Sequence, residues 1–238
     1  MSELFSIQLQ NRQQQGRDGV WLDLPTTTEQ VQAALRQIGI SSDNPQGLFI
    51  SGYFAEEEKR FAIPYNMVLA SNVDELNFLA SRLETLSTGE RAELNAALQA
   101  PQSELSSIGR ITDFPENVDY YVHLPDVHGP AQLGDYYLNR SGMVDMPEEW
   151  KGGIDTAQFG RYVAQQEQGA FTQYGYLVKS GDAWQKVHEG QPVPEEYRVL
   201  SFPAPEVMRD AANIPPPVQP ETEPQKVIPI ILNGKDSA

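Results

Sequence analysis

His123, Asp126 and His128 are the residues whose types and spacing come nearest to a chemical site. They offer two imidazoles and one carboxylate to a metal ion within six positions. A catalytic zinc site needs three protein ligands in a fixed geometry, usually supplied by regular elements. This loop contains Pro125 and Gly129-Pro130 and has no such frame. We therefore predict that the protein binds no metal and no cofactor.

The motifs of nucleophilic and nucleotide-dependent catalysis are also missing from the sequence. It contains no G-x-S-x-G elbow, no G-x-x-x-x-G-K-[ST] loop and no G-x-G-x-x-G turn. The absence of cysteine excludes a thiol nucleophile, a disulfide scaffold and a thiolate zinc site. A glycosidase would need two carboxylates across a pocket, which a sequence does not place. We predict that the protein is not an enzyme.

Carboxylates dominate the charge of the chain. Asp and Glu number 33 against 17 Lys and Arg, so the formal net charge is −16. A protein that binds nucleic acid directly needs a basic footprint, and this composition argues against such binding. It permits the reverse relation, in which an acidic surface presents itself to a basic partner. A solvated acidic face without a specific partner is the alternative that charge alone leaves open.

The cation-poor part of the chain runs from Asp113 to Glu149, where Arg140 is the only lysine or arginine. Double-stranded DNA carries about one charge per 1.7 Å of its axis, so a protein that imitates it needs spaced carboxylates with few cations among them. We predict a partner-binding acidic surface made of nine carboxylates in and just after this stretch: Asp113, Glu116, Asp119, Asp126, Asp135, Asp145, Glu148, Glu149 and Asp155.

The elements that position these groups begin with a β-β-α-β unit. Residues 4–10, 20–24 and 47–53 alternate apolar and polar side chains and are predicted strands. Thr26 and Glu29 have capping-box spacing at the start of a helix that Gly39 ends. The apolar stripe of this helix is Val31, Ala34, Leu35 and Ile38. We assign residues 1–65 to an N-terminal α+β domain.

Residues 66–112 are predicted to form a small helical domain. Asn72 caps one helix, and Ser87 with Glu90 forms a capping box for the next. A short helix over residues 103–108 is expected to end at Gly109.

Residues 113–202, called the third region below, are predicted to be mixed α and β. We expect a strand over 118–124, a helix over 131–139, a short helix from Pro147, and a further strand from Val187 and the 197–202 run. Its central feature is a helix whose Ile154, Phe159, Tyr162 and Val163 share one face. The chain then turns at Gln168-Gly169 into an aromatic, alternating strand.

From Pro203 onward the chain is rich in proline, which predicts a linker or disordered tail over 203–238. Its apolar piece, residues 227–232, is expected to dock on a partner or to be the remnant of a join to another domain. No secretory pattern opens the sequence, and no apolar run approaches the roughly 20 residues that span a bilayer. We therefore expect a cytoplasmic protein without membrane contact.

The order of these elements resembles the ArdA antirestriction family from Leu4 to about Leu200. The motifs that carry the resemblance are GVWLDLP (19–25), FISGY (49–53), DELNFLASRLETL (74–86), LGDYYLNRSG (133–142) and IDTAQFGRYVAQQEQGAFTQYGYLV (154–178). The resemblance implies an elongated, acidic, three-domain protein of a mobile genetic element. It also implies a head-to-head homodimer that mimics B-form DNA, occupies the DNA-binding groove of type I restriction–modification enzymes and binds no nucleic acid itself.

Two features depart from this family pattern. Lys59, Arg60, Arg82, Arg91 and Arg110 interrupt the acidic surface of the first two domains, and the Pro-rich tail extends past the usual end of the family. The alternative function is an acidic interaction module of a mobile element that binds another basic protein, such as a different defence nuclease or a conjugation factor.

Overall fold

The structure is a computed structural model that describes residues 3–14, 18–41, 47–57, 60–101 and 103–200. Within these ranges the chain is mixed α+β, as predicted, with two three-stranded antiparallel sheets. The predictions for the tail, for its apolar piece and for the end of the 197–202 run fall outside the described residues.

The first sheet contains β1 (Phe5–Asn11), β2 (Val20–Leu24) and β3 (Leu48–Phe54), in the order β2-β1-β3. Phe5, Ile7 and Leu9 alternate with polar residues along β1, so all three apolar side chains are buried on one face. Helix α1 (Thr28–Gln37) follows β2. Its predicted apolar stripe is buried, which confirms that part of the prediction.

The predicted cap of α1 is wrong by one residue. Thr27 is the N-cap and forms the capping box with Gln30, rather than Thr26 with Glu29. The backbone N–H of Thr26 instead donates to the Asn77 side chain at 2.7 Å. This contact with a distant helix draws Thr26 into the core, so the next threonine is left to cap α1.

The helices of the second predicted domain are α2 (Tyr65–Leu69), α3 (Val73–Glu84), α4 (Thr88–Gln99) and α5 (Ile108–Thr112). The Asn72 and Ser87 caps are confirmed, each with its capping box. The helix predicted over 103–108 is wrong. Ser107 is the N-cap of α5, because its hydroxyl accepts from the N–H of Arg110, and Gly109 lies inside that helix.

The third region contains β4 (Tyr121–Leu124), α6 (Pro130–Asp135) with a π-helical turn at Tyr136–Arg140, and α7 (Glu148–Lys151). It continues with α8 (Thr156–Glu167), β5 (Ala170–Thr172) and β6 (Gly175–Lys179), and the sheet order is β4-β6-β5.

Three predictions for this region are corrected. The strand predicted over 118–124 starts only at Tyr121, because residues Val118–Tyr120 form a 3-10 turn. The single strand after α8 is a hairpin of β5 and β6. Val187 lies in no strand. Tyr197 ends a 3-10 turn at Glu195–Tyr197, and residues 198–200 after it form no strand in the described chain.

The predicted apolar face of α8 is also wrong in part. Tyr162 is 60% exposed, whereas the buried positions are Gly160 and Ala164. Helix α6 lies directly against this glycine face: a Cβ on Gly160 would come within 1.8 Å of the Pro130 carbonyl oxygen. A contact between two helix backbones selects small residues rather than the bulky apolar ones that define an amphipathic stripe.

One hydrophobic cluster includes buried side chains from all three predicted domains, for example Leu24, Leu83 and Phe114. A second, smaller cluster around Val127, Leu133, Ala164 and Tyr176 joins α6, α8 and β6. The second cluster is supported by Glu167, whose carboxylate accepts from the hydroxyls of Tyr137 and Tyr176. The domain boundaries at 65 and 112 stay a prediction.

Candidate acidic interaction surface

Six of the nine predicted carboxylates are exposed, and all six lie on turns or helix starts of the third region. Asp119 belongs to the 3-10 turn before β4, and Asp126 follows that strand. Asp145 precedes α7, Glu148 and Glu149 form its first turn, and Asp155 caps α8. Turns keep their side chains in solvent, so these groups are available to a partner.

Asp113 lies inside the fold and is fully buried. Its two carboxylate oxygens accept from the backbone N–H groups of His188, at 2.6 Å, and of Glu189, at 3.2 Å. Asn117 reinforces this tie, since its amide bonds the carbonyl oxygens of Asp113 and Gln185. Asp113 is therefore not part of the partner surface. Its carboxylate holds residues 185–189 against α5.

Replacing Asp113 with alanine is expected to lower the free energy of unfolding by about 3 kcal/mol, because two part-buried N–H groups lose their acceptor and a cavity is left in the core. Asp113→Asn keeps one acceptor oxygen but turns an NH₂ group toward the other N–H, so it should not restore full stability. Urea unfolding measures both variants, and hydrogen exchange at the amides of His188 and Glu189 locates the loss. An alanine variant as stable as the parent chain would contradict this role.

Three other members of the set have cation partners. Glu116 pairs with Arg82, Asp135 with Arg140 at 3.0 Å, and Glu148 with Lys151 at 2.9 Å. The pKa of Asp135 is lowered by the Asn139 amide and, to a smaller extent, by Arg140. The members that make no ion pair with another described residue, and so carry charge that no cation compensates there, are Asp119, Asp126, Asp145, Glu149 and Asp155.

Most of the cations that interrupt the acidic sequence form ion pairs or hydrogen bonds with other residues of the chain. Arg110 lies between Glu104 and Glu189, at 2.6 and 2.9 Å. Arg91 donates to the carbonyl oxygens of Leu86 and Leu83 and lies over the Phe61 ring. With Arg82 paired to Glu116, three of the five interrupting cations are engaged internally, while Lys59 falls outside the described residues. These contacts engage three of the five cations, and two of the three, Arg82 and Arg110, neutralise carboxylates of the chain in doing so.

Glu93, on α4, is a half-buried carboxylate near Asp119 that the sequence analysis did not select. Burial, followed by the neighbouring charges of Glu90 and Asp119, raises the pKa of Glu93 to about 8. One of its oxygens is buried without a hydrogen-bond partner in the described structure. The spacing of Glu90 and Glu93 on one helix face was readable from sequence, but the approach of Asp119 was not.

Glu93 should make stability depend on pH. Because the pKa of its carboxyl is raised from 4.5 to about 8 on folding, its contribution to stability is fully present below pH 4.5 and is lost as pH rises through about 8. Glu93→Gln should therefore be more stable than the parent chain at pH 9, by about 1 kcal/mol because the group is partly hydrated. Both chains should be equally stable at pH 4, and a difference that does not change with pH would contradict the assignment.

His123 and His128 have structural contacts. The Nε2–H of His123 donates to the Tyr174 carbonyl oxygen at 2.7 Å, which ties β4 to the β5–β6 turn. The backbone N–H of His128 donates to the Gln132 side chain. The described part of the chain holds no cluster of His, Asp and Glu arranged for a metal ion.

A sequence model of the family described as antirestriction protein (ArdA) matches residues 15–178. This match covers more than half of the chain. The protein belongs to the ArdA family. Antirestriction proteins act on restriction enzymes, so the partner of this chain is a protein. The ArdA family is not known to have enzymatic activity.

The ArdA match includes all nine carboxylates and runs to the last but one residue of β6. The loop that Asp113 holds, residues 185–189, lies beyond the match, although it completes the fold around α5. No curated protein matches the chain. Among the described helices, none combines the length and apolar character that crossing a membrane requires.

Proposed function

We propose that this ArdA protein mimics B-form DNA and occupies the DNA-binding groove of a type I restriction–modification enzyme. The observation that carries the proposal is the set of six exposed carboxylates from Asp119 to Asp155, five of which lack a cation partner in the described structure. Such groups stand in for phosphates because they supply single negative charges at the end of short side chains. The proposed surface contains Asp119, Asp126, Asp135, Asp145, Glu148, Glu149, Asp155 and Glu116.

The mechanism is competition rather than chemistry. Lysine and arginine side chains of the enzyme's groove, which would hold DNA phosphates, pair instead with the carboxylates of the mimic. Complementary charge raises the rate of association and is screened by salt, with a Debye length of about 10 Å at 0.1 M. Inhibition should therefore weaken as the salt concentration rises.

The test is a binding competition. A purified type I enzyme is bound to a labelled duplex that contains its site, the full-length protein is added, and fluorescence anisotropy follows the release of DNA at 50 and 300 mM NaCl. The proposal predicts displacement at low salt that is strongly reduced at high salt. A salt-independent displacement would contradict mimicry of phosphates.

Failure to displace DNA from several type I enzymes would favour the alternative, an acidic module for another basic protein of the same mobile element.

We also propose a homodimer as the acting species, which would double the length of the acidic surface. Light scattering coupled to size exclusion tests this directly, and a monomeric mass at the concentrations that inhibit would contradict it.

A further inference from the structure

A cavity of about 480 Å³ lies between α2, α3, α5 and residues 188–193. Its apolar wall includes Met67, Phe78, Ile108 and Val193, and its acidic residues are Glu75 and Glu189. A volume of this size, apolar with a few polar groups, is typical of sites for small ligands or single side chains.

The wall formed by residues 188–193 is held in place by contacts described above. Asp113 accepts from the N–H groups of His188 and Glu189, and Arg110 pairs with Glu189 at 2.9 Å. The His188 ring also meets Phe78 edge to face, with 4.9 Å between ring centroids. Because these contacts within the chain fix the wall, binding to the cavity needs little ordering.

The charged residues that line the cavity favour a cationic ligand. No lysine or arginine lines it, and Glu189 is already compensated by Arg110 and by Lys186 at 3.2 Å. Glu75 differs, because it makes no ion pair with any residue that the structure describes. Its side chain accepts only the long capping contact from the N–H of Asn72, at 3.5 Å. A half-buried carboxylate beside apolar walls, without a counter-charge, leaves room for one positive group.

We infer that this cavity binds an alkylguanidinium or alkylammonium group. The alkyl stem would lie against Met67, Phe78 and Ile108, and the cation would meet Glu75, with the Phe78 ring as a second favourable neighbour. None of the residues that line the cavity belongs to the proposed acidic surface, so this site is distinct from the one proposed for DNA mimicry. The same chemistry is offered by a free organic cation and by an arginine or lysine side chain of a partner.

The experiment is an NMR titration of the full-length protein with n-butylguanidinium chloride, followed at the backbone amides of Ser71, Gly109 and Gly190. The neutral isostere n-butylurea is titrated in parallel. We expect saturable shifts at these amides with the cation, and an affinity at least about fivefold lower for the urea, because only the cation forms a charge-assisted contact.

Glu75→Gln is the decisive variant, since glutamine also serves at this position of a capping box and the fold should be preserved. Glu90→Gln is its matched control: it occupies the same capping-box position in α4 and does not line the cavity. We expect Glu75→Gln to bind butylguanidinium at least about fivefold more weakly, and Glu90→Gln to bind like the parent chain.

Equal affinity for the urea and the cation, unchanged binding by Glu75→Gln, or no shift at the cavity amides would each overturn the inference. A further titration with acetyl-Gly-Arg-Gly-amide distinguishes the two sources. Peptide binding as tight as that of butylguanidinium would assign the site to a side chain of a partner. Binding of the free cation alone would assign it to a small molecule. Both results support the cation site.

Discussion

Reversing five carboxylates of the third region to lysine is expected to reduce inhibition of a type I enzyme by at least about a hundredfold, since each reversal replaces an attraction to the basic groove with a repulsion. The five positions are Asp119, Asp126, Asp145, Glu148 and Glu149. All are exposed, and four of them make no ion pair in the described structure. Asp135 is not in this variant, because it is half-buried and paired with Arg140.

The control separates the position of the charge from its total. A second variant reverses five exposed carboxylates outside 113–155 and changes the net charge equally: Glu3, Asp18, Asp23, Glu57 and Glu196. The DNA-displacement assay should show a far smaller loss for this variant than for the first. Equal losses would show that net charge, rather than the third region, determines inhibition. Full inhibition by the first variant would remove the mimicry proposal, provided circular dichroism shows it folded.

Gly160→Ala is expected to lower the free energy of unfolding by about 3 kcal/mol or more, the largest single-residue effect we predict for stability. Its Cβ would lie 1.8 Å from the Pro130 carbonyl oxygen and 2.8 Å from the Gly134 nitrogen. Both obstacles are backbone atoms of α6, so no side-chain rotation relieves the clash. The two helices must separate, which opens the small cluster around Leu133 and Ala164.

The contact is reciprocal, which provides an internal check. A Cβ on Gly134 would lie 2.0 Å from the carbonyl oxygen of Thr156, so Gly134→Ala should be destabilised similarly. Gly89→Ala is the matched control, because Gly89 also lies in a helix but a Cβ there meets nothing within 4 Å. Alanine at Gly89 should be neutral or stabilising by up to about 1 kcal/mol. Urea unfolding that ranks Gly160→Ala beside Gly89→Ala would contradict the helix contact.

The proposed surface also depends on this contact. Asp135 ends α6 and Asp155 caps α8, and the two glycines hold these helices at backbone distance. A Gly160→Ala chain that stays folded at low temperature should therefore inhibit less well than the parent chain, although both have the same net charge, because Asp135 and Asp155 have moved apart.

Local patterns in the sequence were sufficient to predict much of the fold. Alternation located β1 to β3 within one residue. Side chains that can accept from a backbone N–H three residues later located the caps at Asn72 and Ser87. These features depend on neighbours a few positions away, so they are visible in one dimension. The acidic composition and the family motifs are equally local, and they led to the antirestriction family that the match at 15–178 shows.

The remaining features were decided by residues far apart in the chain. Asp113 belongs to the core because its carboxylate oxygens accept from backbone N–H groups 75 and 76 positions later. Thr26 does not cap α1 because its backbone N–H bonds the Asn77 side chain. Glu93 has a raised pKa because burial and Asp119 act on it together. Burial, electrostatic neighbours and backbone contact are properties of packing between distant segments. Charge, the strands of the first sheet, two helix caps and the family were therefore readable from local sequence. Packing between distant segments decided which carboxylates are exposed, where α6 meets α8 and where a cavity forms.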